Sequence, residues 1–166
     1  MKKIIWFSIF VIGAAALDII SKFLVLANLE PGVPVNVLGN YLKLHLVFND
    51  GIVFGISVGA TPAWLIIIGK LVIISFVVWV FTKIPLYFQD KGQNLARIAF
   101  LFIFSGFIGN TFDRFYHGAV VDFIDMGIGN LRWYIYNIAD VYIVIGAGLL
   151  IITLLKYENK KTPHNS

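Results

Sequence analysis

Apolar residues run along this chain in long blocks, not in the short alternating pattern of a soluble domain. A helix needs about 20 predominantly apolar residues to cross the hydrocarbon core of a bilayer. Four blocks reach that length with few charges, and they cover approximately residues 4–27, 63–82, 95–113 and 137–155. The pattern therefore predicts four transmembrane helices.

Two longer connections, residues 28–62 and 114–136, hold most of the Gly, Pro and Asn residues. In the first of them, residues 42–47 alternate between apolar and polar or basic side chains, which is typical of a strand. We expect an all-α membrane protein with four transmembrane helices, a small extracytoplasmic β-cradle and a loop or helix near the outer face. No linker divides the chain, so residues 1–166 are expected to form a single polytopic domain.

Composition narrows the class further. Of the 166 residues, 59% are hydrophobic and 13% are charged, against about 45–50% and 25% in soluble domains. These values exclude an ordinary soluble domain and a disordered tail. With no Cys, a disulfide-stapled module and a thiol nucleophile are excluded as well.

Basic residues indicate the orientation, because cytoplasmic loops carry the Lys and Arg excess. Eight lie on one predicted side and three on the other: Lys2, Lys3, Lys83, Lys91, Arg97, Lys156, Lys160 and Lys161 against Lys43, Arg114 and Arg132. Both termini are therefore expected to be cytoplasmic. The +4 net charge follows from this distribution, and no nucleic-acid partner is expected. The first block also fits a cleaved signal peptide, an alternative that three further spans disfavour.

Ionisable residues inside membrane spans are costly to bury and mark functional sites. At a helical rise of 1.5 Å per residue, Asp18, Asp113 and Asp140 all lie roughly 21–24 Å from the cytoplasmic ends of their spans. Asn110 and Asn137 lie within about one turn of these carboxylates. The sequence therefore predicts one polar site near the outer face.

Five short motifs surround these positions. They are Asp18 with Lys22, Asn49-x-Gly51-x-x-Phe54-Gly55, Gly109-Asn110-x-x-Asp113-Arg114, Val121-Asp122-Phe123 and Asn137-x-Ala139-Asp140. In this order and at these spacings, over nearly the whole chain, they resemble the motifs of the bacterial lipoprotein signal peptidases, or type II signal peptidases.

The resemblance implies a membrane-embedded aspartyl protease that removes the signal peptide from prolipoproteins, cutting before a diacylglyceryl-modified cysteine. Its catalytic pair would be Asp122 and Asp140. Residues that bind substrate or shape the site would be Asp18, Lys22, Asn49, Gly51, Gly109, Asn110, Asp113, Arg114, Asn137 and Ala139. The family also implies sensitivity to the cyclic peptide globomycin.

The same resemblance implies a multi-pass protein of the bacterial cytoplasmic (inner) membrane, with its active site near the extracytoplasmic face. Its partners would be diacylglyceryl-modified prolipoproteins and membrane lipid, and we expect a monomer. No cofactor or metal is expected, since no His and Glu spacing resembles a zinc site.

Two facing carboxylates suit amide hydrolysis, because like charges at close range cannot both stay ionised and so share one proton. The ionised partner takes a proton from water, and the protonated one polarises the carbonyl or acts as acid. The pair titrates as a unit, so sequence assigns neither role.

Structural readings of the same residues remain open: Asp122 as a solvated loop residue, Asp140 as a helix cap, Asp18 with Lys22 as an intrahelical pair, and Asp113 with Arg114 as a salt bridge or network. Other functions also remain open. A lipid phosphotransferase would use Asp clusters to hold Mg²⁺, an ion-coupled carrier would use intramembrane acids as a pathway, and a scaffold or lipid-binding protein would need neither.

Overall fold

Three long helices are seen in full in the described part of the chain, and they are apolar enough to suit a membrane. The computed structural model describes residues 2–50 and 90–157, together with positions 68, 69, 72, 75, 79, 82 and 84. The helices are α1 (Lys2–Asn28), α2 (Asp90–His117) and α3 (Ile138–Tyr157). Each is long and apolar enough to cross a membrane. Three of the four predicted spans are therefore confirmed as helices, and most of the span predicted at 63–82 lies outside the described residues.

The helices are longer than the apolar blocks that predicted them. α2 begins at Asp90 and ends at His117, whereas the apolar block covered only 95–113. Charges had marked the limits of that block, but a helix continues past charged residues when these find partners or solvent. Asp113 therefore lies inside α2, one turn before the helix ends.

Several polar side chains are buried inside the fold, while many large apolar side chains lie on its surface. Buried polar or charged residues in the described part are Asp18, Lys22, Ser105, Asp113, Asp122, Asp125, Asn137 and Thr153. Large apolar side chains, such as Trp6, Val144 and Leu155, lie exposed on the helices. Lipid tails are as apolar as these side chains, so such a surface is stable in a bilayer.

A close approach between α2 and α3 depends on Gly106. A Cβ at this position would lie 2.3 Å from the carbonyl oxygen of Ala139. Small residues allow helix backbones to approach this closely in lipid. The contact brings the first turn of α3 against the middle of α2.

The two connections between helices combine into one antiparallel sheet. Its strands, β1 (Val35–Leu38), β2 (Leu42–Asn49), β3 (Val120–Ile128) and β4 (Leu131–Arg132), are arranged in the order β1-β2-β3-β4. The strand predicted at 42–47 is confirmed and extends by two residues. A four-stranded sheet made from both connections agrees with the predicted small β element.

A small apolar core attaches the sheet to the helices. Val25 of α1 packs with Leu46 of β2 and with Val121 and Phe123 of β3. Because successive strand residues face opposite sides, Asp122 points away from the face that carries Val121 and Phe123. The core therefore determines which way Asp122 points.

The segment that leads into α3 is held against β3 by the backbone of Tyr136. Its carbonyl oxygen accepts hydrogen bonds from the N–H groups of Phe123 (3.1 Å) and Ile124 (2.7 Å). Its N–H donates to the carbonyl oxygen of Ile124 at 3.1 Å. These bonds place Asn137, the next residue, beside Asp122.

Candidate active site

Asp122 lies in β3 and is almost fully buried, with 3% of its surface exposed. Its Oδ1 accepts a hydrogen bond from Nδ2 of Asn137 at 2.6 Å. Its Oδ2 accepts one from Nδ2 of Asn49, at the end of β2, at 2.9 Å. Asp122 is therefore an oriented, buried carboxyl and not a solvated loop residue.

Asp140 lies in the first turn of α3 and forms a reciprocal cap with Asn137. The N–H of Asp140 donates to Oδ1 of Asn137 at 3.0 Å, and the N–H of Asn137 donates to Oδ2 of Asp140 at 3.2 Å. This is the capping-box arrangement, with Asn137 as N-cap. The interpretation of Asp140 as a helix cap is thus confirmed. Its Oδ1 accepts a further bond from Nδ2 of Asn110 at 2.8 Å.

Two amides connect the two aspartates. Nδ2 of Asn137 also lies 3.0 Å from Oδ1 of Asn110. The chain of hydrogen bonds therefore runs from Asp122 through Asn137 and Asn110 to Asp140. Lys22 can only donate, so the side-chain oxygen of Asn110 faces it and the NH₂ of Asn110 faces Asp140. The backbone N–H of Asp140 can also only donate, so the side-chain oxygen of Asn137 faces it and the NH₂ of Asn137 faces Asp122.

Lys22 is buried, with 2% of its side chain exposed, at the centre of a second polar group. Its Nζ lies 2.7 Å from Oδ2 of Asp18 and 2.7 Å from Oδ2 of Asp113. It also donates to Oδ1 of Asn110 at 3.1 Å. The predicted intrahelical pair of Asp18 and Lys22 is confirmed. Lys22 of α1 also forms an ion pair with Asp113 of α2.

The remaining predicted site residues lie around these groups, apart from Gly51, which is outside the described residues. A Cβ on Gly109 would lie 2.3 Å from Oδ2 of Asp18, so this position has no space for a side chain. Ala139 is fully buried, and its N–H donates to Oδ1 of Asp18 at 2.8 Å. Arg114 donates to the carbonyl oxygen of Asp50 at 3.4 Å.

Burial raises the pKa of Asp122 to about 7 from an ordinary value of 3.8. The negative charge of Asp140 raises the pKa as well, while the hydrogen bonds from Asn49 and Asn137 and the charge of Lys22 lower it. Desolvation has the largest effect because it disfavours the ionised carboxylate. This carboxyl therefore holds its proton to a higher pH than an ordinary aspartate does.

The arrangement has the parts of an acid–base pair. Each of the two aspartates is held by two N–H donors, while a carboxylate offers about four acceptor sites, so each can also bind water or substrate. In the part of the chain that the structure describes, no three His, Cys, Asp or Glu side chains are grouped as metal ligands.

The sheet carries a separate polar cluster, formed by Asp125, Arg132 and His45, that was not predicted from the sequence. Asp125 of β3 accepts hydrogen bonds from Arg132 through Oδ1, at 2.9 Å from Nε and 2.7 Å from Nη2. His45 of β2 lies 3.7 Å from the other carboxylate oxygen, and Arg132 also donates to the carbonyl of Asn40. The hairpin signal at Gly129-Asn130 could have indicated that residues on either side of it approach each other.

Comparisons with known proteins are consistent across sequence and structure. The family model described as "Signal peptidase (SPase) II" matches residues 10–156. A lipoprotein signal peptidase from Alteromonas mediterranea is 33% identical over 92% of this chain and 81% of its own length. One from Desulfitobacterium hafniense is 32% identical over 95% and 97%. A solved bacterial membrane enzyme superposes with a TM-score of 0.74 at 30% identity, covering 90% of this chain and 92% of that one.

Proposed function

The chain belongs to the signal peptidase II family, and from this premise we propose that it is an aspartyl endopeptidase of the membrane. It removes the signal peptide from prolipoproteins by hydrolysing the bond before a diacylglyceryl-modified cysteine. Asp122 and Asp140 form its catalytic pair. The observation that supports this assignment most directly is that both carboxylates are bound to Asn137.

The environment of each aspartate suggests a division of roles. Asp122 is buried, and its raised pKa makes it the holder of the shared proton near neutral pH. Asp140 takes the complementary role and acts as general base toward a water molecule. The pair still titrates together, so the two apparent pKa values belong to the dyad.

Hydrolysis then proceeds through a tetrahedral intermediate. Asp140 accepts a proton from water as the water oxygen bonds to the scissile carbonyl carbon, and Asp122 gives its proton to the carbonyl oxygen. Asp140 next passes its proton to the amide nitrogen and the C–N bond breaks. The carboxyl group of the product forms as its hydroxyl returns a proton to Asp122, which regenerates the starting state.

The proposed substrate carries lipid, and this determines how it reaches the site. The acyl chains of the modified cysteine remain in the outer leaflet, and the peptide backbone reaches the polar site near the extracytoplasmic face. We place the protein in the bacterial cytoplasmic membrane as a monomer with both termini cytoplasmic, with no nucleic-acid partner and no cofactor. Arg114, next to Asp113 at the end of α2, contacts the substrate backbone in this proposal.

A gel-shift assay in detergent tests the proposal. Full-length protein is mixed with a diacylglyceryl-modified prolipoprotein, and the same assay is run with Asp122→Asn, Asp140→Asn and a matched control, Asn28→Ala. Asn28 is an exposed residue, and among the described residues its amide bonds only to the carbonyl of Leu24 in its own helix.

Cleavage by wild type and the control, none by either aspartate variant and no effect of a chelator are the expected results. Full activity in Asp122→Asn or Asp140→Asn would overturn the catalytic assignment. Loss of wild-type activity on chelation would favour a metal-dependent enzyme instead.

A further inference from the structure

Three side-chain oxygens surround the ammonium of Lys22. They are Oδ2 of Asp18 at 2.7 Å, Oδ2 of Asp113 at 2.7 Å and Oδ1 of Asn110 at 3.1 Å. The two carboxylates pair with its charge, and Asp18 and Asn110 also accept hydrogen bonds from it. Such complete pairing is what allows a charge to be buried between membrane helices.

Both carboxylates that bind Lys22 also bind a backbone N–H next to a catalytic aspartate. Asp18 accepts from the N–H of Ala139 at 2.8 Å, and Ala139 directly precedes Asp140. Asp113 accepts from the N–H of Val121 at 3.0 Å, and Val121 directly precedes Asp122. Lys22 is thus linked through one carboxylate to the backbone before Asp140, in a helix, and through the other to the backbone before Asp122, in a strand.

We propose that Lys22 is a positioning residue that sets the separation of the two catalytic aspartates by holding Asp18 and Asp113 together. This inference rests on the proposed function of Asp122 and Asp140. Lys22 itself touches neither reacting group in this arrangement. Its charge holds the carboxylates of Asp18 and Asp113, and these bind the backbone next to Asp140 and Asp122.

The third partner of Lys22 strengthens the same connection. Asn110 receives the Lys22 hydrogen bond on its oxygen and gives its own N–H to Oδ1 of Asp140 at 2.8 Å. The side chain of Asp140 and the backbone before it are therefore both linked to one ammonium. A neutral side chain at position 22 would lack the positive charge that neutralises one of the two carboxylates.

This role predicts an effect on the chemical step and not on substrate binding. A shift of about 1 Å in the relative position of catalytic groups can cost on the order of 100-fold in rate. Lys22 is buried, with 2% of its side chain exposed, so we expect substrate affinity to come from contacts elsewhere. Loss of the Lys22 links should therefore lower kcat by roughly 10–100-fold and leave KM within about threefold.

The test must separate positioning from folding. Lys22→Met alone leaves two buried carboxylates without a counter-charge, which is strongly destabilising. The triple variant Lys22→Met/Asp18→Asn/Asp113→Asn removes all three charges. Each new amide keeps an oxygen that can accept the N–H of Ala139 or Val121.

The matched control is Thr153→Val. Thr153 is fully buried in α3, and in the described part of the chain its hydroxyl bonds only to the carbonyl of Leu149 in the same helix. It reports how well the fold tolerates the loss of a buried polar group away from the site. We expect wild-type kcat and KM for this variant.

Steady-state cleavage of the diacylglyceryl prolipoprotein by full-length protein gives kcat and KM for each variant. A folded triple variant with reduced kcat and near-normal KM supports the proposal, and wild-type kcat overturns it. If the triple variant does not fold, the single variants Asp18→Asn and Asp113→Asn decide, since each keeps one ion pair. Wild-type kcat in both overturns the proposal. Failure of the catalytic assignment is distinct, because it requires activity in Asp122→Asn or Asp140→Asn.

Discussion

The amide nitrogen of Asn137 donates a 2.6 Å hydrogen bond to Oδ1 of Asp122. The same side chain caps α3 by accepting the N–H of Asp140. One residue therefore fixes the start of a helix and the orientation of a carboxyl on a strand. Because the cap determines which end of the amide is oxygen, it also determines that the NH₂ faces Asp122.

Asn137→Ala should lower kcat by roughly 100-fold and also destabilise the protein. The variant loses the N-cap, which is worth about 1 kcal/mol, and leaves Oδ1 of Asp122 without its donor. Asn28→Ala, which removes an exposed amide, is the control. The measurement is cleavage rate together with melting temperature in detergent. A variant that melts earlier yet cleaves at the wild-type rate would show that the cap matters for folding only.

Activity should fall on the alkaline side of about pH 7. Burial raises the pKa of Asp122 to about 7, and the proposed mechanism needs this group protonated. Asp140 and Lys22 are the charged neighbours that modulate this value, and Arg114 lies close enough to feel the charge of Asp122. The measurement is kcat/KM from pH 5 to pH 9. A profile flat to pH 9 would contradict this role for Asp122.

The free energy of unfolding should decrease as pH rises from about 4 to about 7. Since the folded pKa of Asp122 lies above its ordinary value of 3.8, the folded state binds the proton more tightly in this window. This contribution to stability is complete below pH 4 and is lost as pH rises through 7. Melting temperatures of wild type and Asp122→Asn across this range test it. The variant should show a smaller slope, and equal slopes would exclude Asp122 as the source.

Gly109→Ala should destabilise the protein and reduce activity. Its Cβ would lie 2.3 Å from Oδ2 of Asp18, which would displace a carboxylate held by Lys22. Gly13→Ala is the matched control, because no atom of the described residues lies within 4 Å of a Cβ at that position of α1. Ala is favoured over Gly in a helix by up to about 1 kcal/mol, so the control should be neutral or more stable. Equal melting temperatures for the two variants would contradict the predicted clash.

Arg132→Met should destabilise the sheet by about 3 kcal/mol, because Asp125 is mostly buried and would lose its charged partner. The double variant Arg132→Met/Asp125→Leu removes the unpaired carboxylate as well and should recover part of the loss. Thermal melting of the three proteins gives the comparison. If the single variant melts with wild type, the ion pair contributes nothing to stability.

Much of the fold could be predicted because lipid imposes simple requirements on sequence. The apolar blocks give three helices that the structure confirms, and the alternation at 42–47 gives a strand that becomes β2. The polar positions Asp18, Asp113 and Asp140 were expected at one depth, and contacts through Lys22 and Ala139 join them. Helical rise and the cost of burying charge were enough for this prediction.

The partners of the site residues could not be predicted in the same way. The adjacent Asp113 and Arg114 are predicted to form a salt bridge or network, and Asp113 does belong to an ion-pair network, but its partner there is Lys22 of another helix. Neighbouring residues of a helix point in different directions, and Asp113 faces α1, where Lys22 binds it. Pairing between helices depends on how they rotate against each other, which spacing along one helix does not specify.

Sequence by itself determined the membrane class, three helices, one strand and the residue types gathered at one end of the spans. It could do so because hydrophobic length and charge act locally along the chain. Tertiary structure alone decided that Asp122 is buried and faces Asn137. That outcome requires β2 and β3 to pair across two separate connections and Tyr136 to bond to β3. Such contacts join distant segments, and their geometry exists only once the helices and the sheet have packed together.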